Sequence, residues 1–416
     1  MKPFNLFLFL CVVAGCRTYS PAPIDWEHER AEWTEKSAAT LHMTLADARQ
    51  CALFLNPEIN ALRVRHLASS NAVLQTGWWD DPEVGVDALH FLKRAPHPWI
   101  FDTSLAFTIP INGVPALERK AAEAYAFADA CAVVVAEREL MVNVGHAWNR
   151  LEHARARHQF LTERLPNLER ARETAAQLVA AGEMDAAEAA RLQLDVLRVR
   201  AEVRQLALDV ETQRLALVQL TGLHPAAPIV FEGCADVPVR NVLVEDALIR
   251  HPNVQEKLAR LDASETDLRT EIRRQYPDLR IGPALSHEEG SPRAGMTFGM
   301  TLPLWNRNRE AVAAAEGARQ QARIEAVNEW KRLCGELAIA KETLRVAEEN
   351  ERHCREEELP AASRSVASIE KLVEAGEADV TALFAGHQTE VEAHLNWLDA
   401  KQALQEAQIS ISQFEE

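Results

Sequence analysis

The chain is written twice, and any fold proposed for it has to contain the same unit two times. Ala52-Leu53 with Asn56-Pro57 recurs 195 residues later as Ala247-Leu248 with His251-Pro252. Ile109-Pro110 recurs as Leu302-Pro303 after 193 residues, and Leu165-Pro166 as Leu359-Pro360 after 194. Leu178-Val179, Gly182-Glu183 and Asp185 return as Leu372-Val373, Gly376-Glu377 and Asp379, again at 194. Four landmarks that agree this closely mark two copies of one unit of about 194 residues. The first repeat is placed at 44–225, a linker at 226–242 and the second repeat at 243–416.

Each unit reads in the same order. A helix comes first, over 44–76 and over 243–276, and ends before Asp81-Pro82 and at Tyr276-Pro277, because a residue preceding proline is pushed out of the helical region. Two short segments of period-two alternation follow, near 83–92 and 101–109 in the first copy and near 278–286 and 295–302 in the second. Leu105, Phe107 and Ile109 alternate with Ser104, Ala106 and Thr108, while Met296, Phe298 and Met300 alternate with Thr297, Gly299 and Thr301. Long helical stretches then run over 114–181 and 308–375, interrupted in pattern only at Pro166 and Pro360. At ~1.5 Å per residue each would approach 100 Å, far beyond a compact domain.

A returning helix follows the glycine at 182 or 376. Leu192, Val196, Val199, Val203, Leu206, Val210, Leu217 and Leu220 hold a heptad rhythm, and Leu117, Ala121, Ala124, Ala128, Cys131 and Val135 repeat it on the outgoing helix. Antiparallel coiled-coil hairpins are therefore expected over 114–222 and 308–412. Glycine supplies the positive φ that ends one helix, and the aspartate three residues on caps the next.

The first residues read as a leader. Lys2 precedes the apolar run Phe4 to Val13, and Val13-Ala14-Gly15 sets small residues directly before Cys16. Residues 1–15 are expected to be removed and 16–43 to form an N-terminal segment anchored through acyl chains, palmitate among them, on Cys16. Each buried methylene of such a chain contributes about 0.8 kcal/mol. The simpler alternative is an ordinary secretory leader with an incidental cysteine.

Beyond the leader no run reaches the ~20 apolar residues of a spanning helix, so a bilayer crossing falls to the strands. Lipid does not tolerate open sheet edges, and single-chain barrels need at least ~8 strands. Four strands per chain must then be completed by assembly, and three protomers supply twelve. Leu105, Phe107, Ile109, Met296, Phe298 and Met300 are expected to face lipid, with the small and hydroxylated residues toward a lumen. Trp78, Trp79 and Trp305 flank the strands, either as an interfacial belt or as packing at the junction with the helices.

The repeated Asn-Pro or His-Pro helix, the hairpin, and the run Thr301-Leu302-Pro303-Leu304-Trp305-Asn306 resemble the TolC family of outer-membrane factors, in particular the lipoprotein channels of resistance-nodulation-division pumps, heavy-metal types included. The resemblance covers the mature chain. It implies a homotrimer with a twelve-stranded β-barrel in the outer membrane and an α-barrel crossing the periplasm, partnered by a periplasmic adaptor and an inner-membrane pump. It also implies adaptor docking at the tip turns, here Gly182, Glu183 and Asp185 with Gly376, Glu377 and Asp379, although these residues can equally serve the turns alone.

Other classes fit less well. The formal charge of −17 opposes nucleic-acid binding, which needs a basic face. Nucleophile-elbow, phosphate-loop and HExxH signatures are missing from the sequence, so neither an enzyme, a cofactor nor a metal site is expected. Seven scattered cysteines without CxxC spacing do not form a disulfide framework. The competing reading is a periplasmic adaptor or a structural coiled-coil lipoprotein without a pore. It leaves the two strand pairs unexplained.

Overall fold

Abundant Ala, Leu, Glu and Arg on heptad spacing make long helices, and the computed structural model shows them; it describes residues 19–36, 40–92, 99–233, 242, 244–288, 291–375, 377 and 380–414. Helix α1 spans Trp26–Lys36, strand β1 Leu41–Met43, α2 Leu45–Leu55 and α3 Pro57–Gln75. Strands β2 and β3 span Glu83–His90 and Trp99–Ile109, and helices α4 and α5 span Val114–Ala181 and Ala186–Thr221. Strand β4 (Ile229–Phe231) precedes a 3₁₀ turn over Glu245–Arg250 and α6, Pro252–Arg273. Strands β5 (Leu279–Glu288) and β6 (Ser291–Met300) lead to α7, Arg309–His353, a π-helical turn over Cys354–Glu358, α8 over Leu359–Glu374 and α9 over Val380–Ser412.

The first helix expected in each repeat is divided. In the first repeat Thr44 opens α2 with a reciprocal capping box, its hydroxyl accepting from the Asp47 amide while the Asp47 carboxylate accepts from the Thr44 amide at 2.9 Å. The chain then turns at Asn56 and restarts at Pro57, whose missing N–H costs nothing at a first helical position. In the second repeat the shorter 3₁₀ turn and α6 meet at His251-Pro252 in the same way.

At 68 residues α4 is close to 100 Å long and is unbroken through Pro166, whereas α5 has 36 and covers only its second half. The Leu117–Val135 rhythm therefore does not face the returning helix. It packs against α6, with α3 beside it. Polar contacts fix that cladding: Arg63 meets Glu137 at 2.6 Å, Arg65 meets Asp129 at 3.1 Å, and the Tyr125 hydroxyl donates to Asp267 at 2.6 Å.

The two cores sit where the helices cross, between sheet and hairpins. The larger one gathers Ala52, Ile59, Val144, Trp148, Leu151, Leu217, Ile229 and Phe231. Its counterpart gathers Leu248, Val254, Leu333, Leu337, Ile411 and Phe414. Ile59 and Val254 are repeat partners, as are Leu217 and Ile411. A parallel pairing of β1 with β4, Leu41 opposite Ile229 and Met43 opposite Phe231, closes the larger core; neither strand was expected from the sequence. Trp148 packs edge-on against Phe231 at 5.4 Å, and Arg155 donates to the Phe231 carbonyl at 3.2 Å.

Candidate functional site: the open sheet and the hairpin tips

Strands β2, β3, β5 and β6 form one antiparallel sheet in that order, so the hairpins of the two repeats pair with each other through β3 and β5. Register then decides the faces. Ile109, Leu279 and Met300 form one cross-strand row, Phe107, Ile281 and Phe298 another, and Val84 stands opposite Leu105. Met296 lies opposite Pro283 in the same layer. All six strand residues singled out from the alternation share this face. Phe298 is 71% exposed, Val84 69% and Met296 56%, while Leu105 and Ile109 are half-buried. Side chains of this kind, exposed along a whole sheet face, are costly in water and ordinary in hydrocarbon.

The opposite face carries Gly85, Ser104, Ala106, Gly282, Ala284, Gly295, Thr297 and Gly299, with Arg280 and Glu83 paired at 3.4 Å toward the helical end. Pro283 is accommodated by a break in the ladder. Pairing of β3 with β5 runs from Phe101–His287 to Ser104–Ala284 and resumes at Phe107–Ile281, passing over Leu105 and Ala106. A proline has no amide hydrogen to offer there. Gly282 fills the tight spot beside it, since a Cβ would lie 1.6 Å from the Leu105 carbonyl oxygen. The Thr297 hydroxyl donates to the Gly282 carbonyl at 3.2 Å.

Both outer strands, β2 and β6, present unpaired edges in the single chain. The 11 residues of β3 make about 37 Å of strand at ~3.4 Å each. Tilted by ~40°, such a strand spans about 28 Å, close to the ~25 Å apolar band of outer-membrane barrels. Trp78, Trp79 and Trp305, the last 88% exposed, ring the helical end of the sheet. Among the described residues no helix is long and apolar enough to cross a membrane, and no group of metal-ligating side chains comes together.

At the far end of the first hairpin, Gly182 adopts φ 74° and its amide donates to the carbonyls of Leu178 and Val179, while Asp185 accepts from the Ala187 amide at 3.0 Å. Glu183 donates its amide to the Leu178 carbonyl at 2.9 Å; 194 residues on, Glu377 does the same to Leu372 at 2.8 Å. Space around Gly182 is open, so its backbone angle alone demands glycine. Gly376 and Asp379 lie outside the described residues, as does Cys16.

The single chain thus presents an incomplete sheet with one apolar face, joined to two helical hairpins of which the first ends in a capped turn. Residues 243–414 match the family model described as outer membrane efflux protein. Several solved structures share the fold over nearly the whole chain. A membrane protein from Pseudomonas aeruginosa is 17% identical, with 96% of this chain and 99% of that one covered and a TM-score of 0.74. CusC is 15% identical, with 94% of each chain covered and a TM-score of 0.76. The CmeC outer membrane channel of Campylobacter jejuni is 14% identical, with 96% and 93% covered and a TM-score of 0.76. At such identities the likeness is one of fold. No curated protein matches the chain by sequence.

Proposed function

We propose that this protein is the outer-membrane channel subunit of a tripartite efflux system, and that three copies close one conduit. The observation that carries the reading is the open four-stranded sheet with its exposed apolar face. Hydrocarbon would leave the edge amides and carbonyls of β2 and β6 without partners, a cost of several kcal/mol per group, so β6 of one copy has to pair with β2 of the next. Three copies give the twelve strands expected from the sequence. The family of the second repeat is one of channels rather than enzymes. The subunit thus conducts passively, with metal ions, drugs or other small molecules as the cargo class and energy supplied by an inner-membrane pump.

The finer assignments extend this reading. Cys16 carries the lipid after removal of 1–15, and 16–43 ties the anchor to a first repeat at 44–225, joined by 226–242 to a second at 243–416. The tip turns at Gly182, Glu183, Asp185, Gly376, Glu377 and Asp379 meet a periplasmic adaptor that links the trimer to a resistance-nodulation-division pump. Support comes from the distance of the first tip from the sheet, set by the length of α4, and from the shared geometry of Glu183 and Glu377. The test is assembly: protein purified in detergent should run as a heat-sensitive-to-boiling trimer, and in planar bilayers it should give discrete conductance steps. A chain that stays monomeric and soluble without detergent once Cys16 is replaced would overturn the proposal.

A further inference from the structure

The two hairpins of one chain meet chiefly along α4 and α9, and beside apolar contacts such as Ile409 against Gly145 this seam carries a row of polar and charged side chains. Asn149 donates to the Gln402 carbonyl at 3.1 Å, Arg150 faces Glu406 at 3.7 Å, and Arg164 faces Glu390 at 3.6 Å. Four of the 14 histidines lie along it. His146 reaches the Ser410 hydroxyl at 3.3 Å, and His153 meets Asp399 at 2.7 Å. His394 stacks on Phe160 at 3.9 Å and meets Trp397 edge-on at 5.3 Å. His387 stands between Glu390 at 3.6 Å and Glu370 at 4.0 Å. On α4 the positions 146, 153 and 160 are a heptad apart, as are 387 and 394 on α9, so one line collects them.

We propose that the α4–α9 seam is an acid-released joint between the hairpins, closed while His146 and His394 are neutral and loosened when they take up protons. Burial holds both imidazoles below their ordinary range. Glu406 opposes the shift at His146 and Arg150 adds to it, while at His394 Arg164 adds to it and Glu390 opposes it. An opened seam would hydrate the rings and return them to the usual value near 6.5. The closed form therefore keeps its advantage above about pH 6.5 and loses it as pH falls from there toward the lowered values.

His153 and His387 also face carboxylates along the seam, Asp399 for the one and Glu390 and Glu370 for the other. The His153 ring is 16% exposed, but its partner Asp399 is 49% exposed and already bound by Arg157, which also faces Glu202 at 3.7 Å; the His387 ring is 36% exposed between Glu370 and Glu390. The His146 and His394 rings are half-buried, and a partly desolvated ring resists its charge directly.

The joint regulates the conduit proposed above and rests on that reading for its meaning, but it can be measured separately. Spin labels at Q159C on α4 and E392C on α9, in full-length protein lacking its other free cysteines and diluted with unlabelled chains, report the seam within one protomer. Between about pH 7.5 and about pH 5 the interspin distance should lengthen by several Å and its distribution broaden. The H146Q/H394Q variant should stay as at neutral pH, each single variant should show a reduced response, and H153Q/H387Q should keep the full one. An unmoved wild-type distance, or an equal shift in H146Q/H394Q, overturns the joint. Conductance is recorded on the same samples: a seam that shifts in a protein that never conducts removes the conduit and leaves the joint.

Discussion

Asn56 and His251 hold the same post in the two repeats. The Asn56 carboxamide oxygen accepts from the amides of Glu58 and Ile59 while its nitrogen donates to the Leu220 carbonyl at 3.2 Å. His251 accepts from the Asn253 amide through Nδ1 and reaches the Gln413 carbonyl through Nε2, also at 3.2 Å. Each side chain starts one helix and pins the end of the hairpin's returning chain to it.

Removing that double contact should cost more than an exposed cap. Asn56→Ala is expected to lose about 1–2 kcal/mol, the upper range for caps, read as a lowered midpoint in denaturant unfolding of detergent-solubilised protein. His251→Asn, which copies the first repeat, should lose less than His251→Ala.

The same histidine gives a stability dependence on pH. Burial keeps His251 neutral, with Arg138 and Arg332 adding to the shift while the Gln413 carbonyl and Glu329 oppose it. A lowered folded value means that this contribution is complete above about pH 6.5 and is lost as pH falls below it. Wild type should therefore destabilise more steeply than His251→Asn between about pH 6.5 and about pH 5, measured by thermal unfolding in detergent.

Gly282 should tolerate no side chain. The Leu105 carbonyl oxygen occupies the place of a Cβ, and overpacking of this kind costs about 1–3 kcal/mol. Gly282→Val is expected to reduce the yield of assembled trimer severalfold, while Gly295→Ala, with open space around it, should leave assembly unchanged. Equal yields from the two variants would contradict the ladder geometry.

Charge should discriminate the faces of the sheet. Phe298→Arg places a guanidinium on the apolar face, at a cost of about 2–4 kcal/mol if it lies at the bilayer midplane. Thr108→Lys, on the polar face, should assemble normally and alter ion selectivity. Reconstitution yield and reversal potential read the two outcomes.

At the tip, Gly182→Val forces a branched residue into φ 74° and should cost roughly 1–2 kcal/mol locally. Trimers should persist in the outer membrane while export fails, scored by resistance of a strain carrying the variant. Undiminished resistance would remove the tip from the docking proposal.

Much of this architecture was legible because it repeats or alternates. The 194-residue offset revealed two units, and period-two alternation over Leu105–Ile109 and Met296–Met300 revealed which side chains share a face. Other features carry too little pattern. The strands Leu41–Met43 and Ile229–Phe231 are three residues long and pair across 188 positions, so no local periodicity marks them. The Leu117–Val135 stripe says that something covers it, but not that α6 rather than α5 does so. Pro166 and Pro360 read alike, yet α4 runs through the first without a break while a π turn precedes the second. Beside that turn the Asn396 side chain donates to Glu358 at 2.9 Å, a contact between distant segments that the local sequence does not announce.

The small residues on the polar face of the sheet have a consequence for transit. Glycine, alanine, serine and threonine fill most of that face, while Glu83 with Arg280 and, further along, Asp87 with Asp102 set charge on it at two levels. In a barrel closed as proposed, a neutral solute would meet little beyond water along this face, and a charged one would be sorted by those side chains.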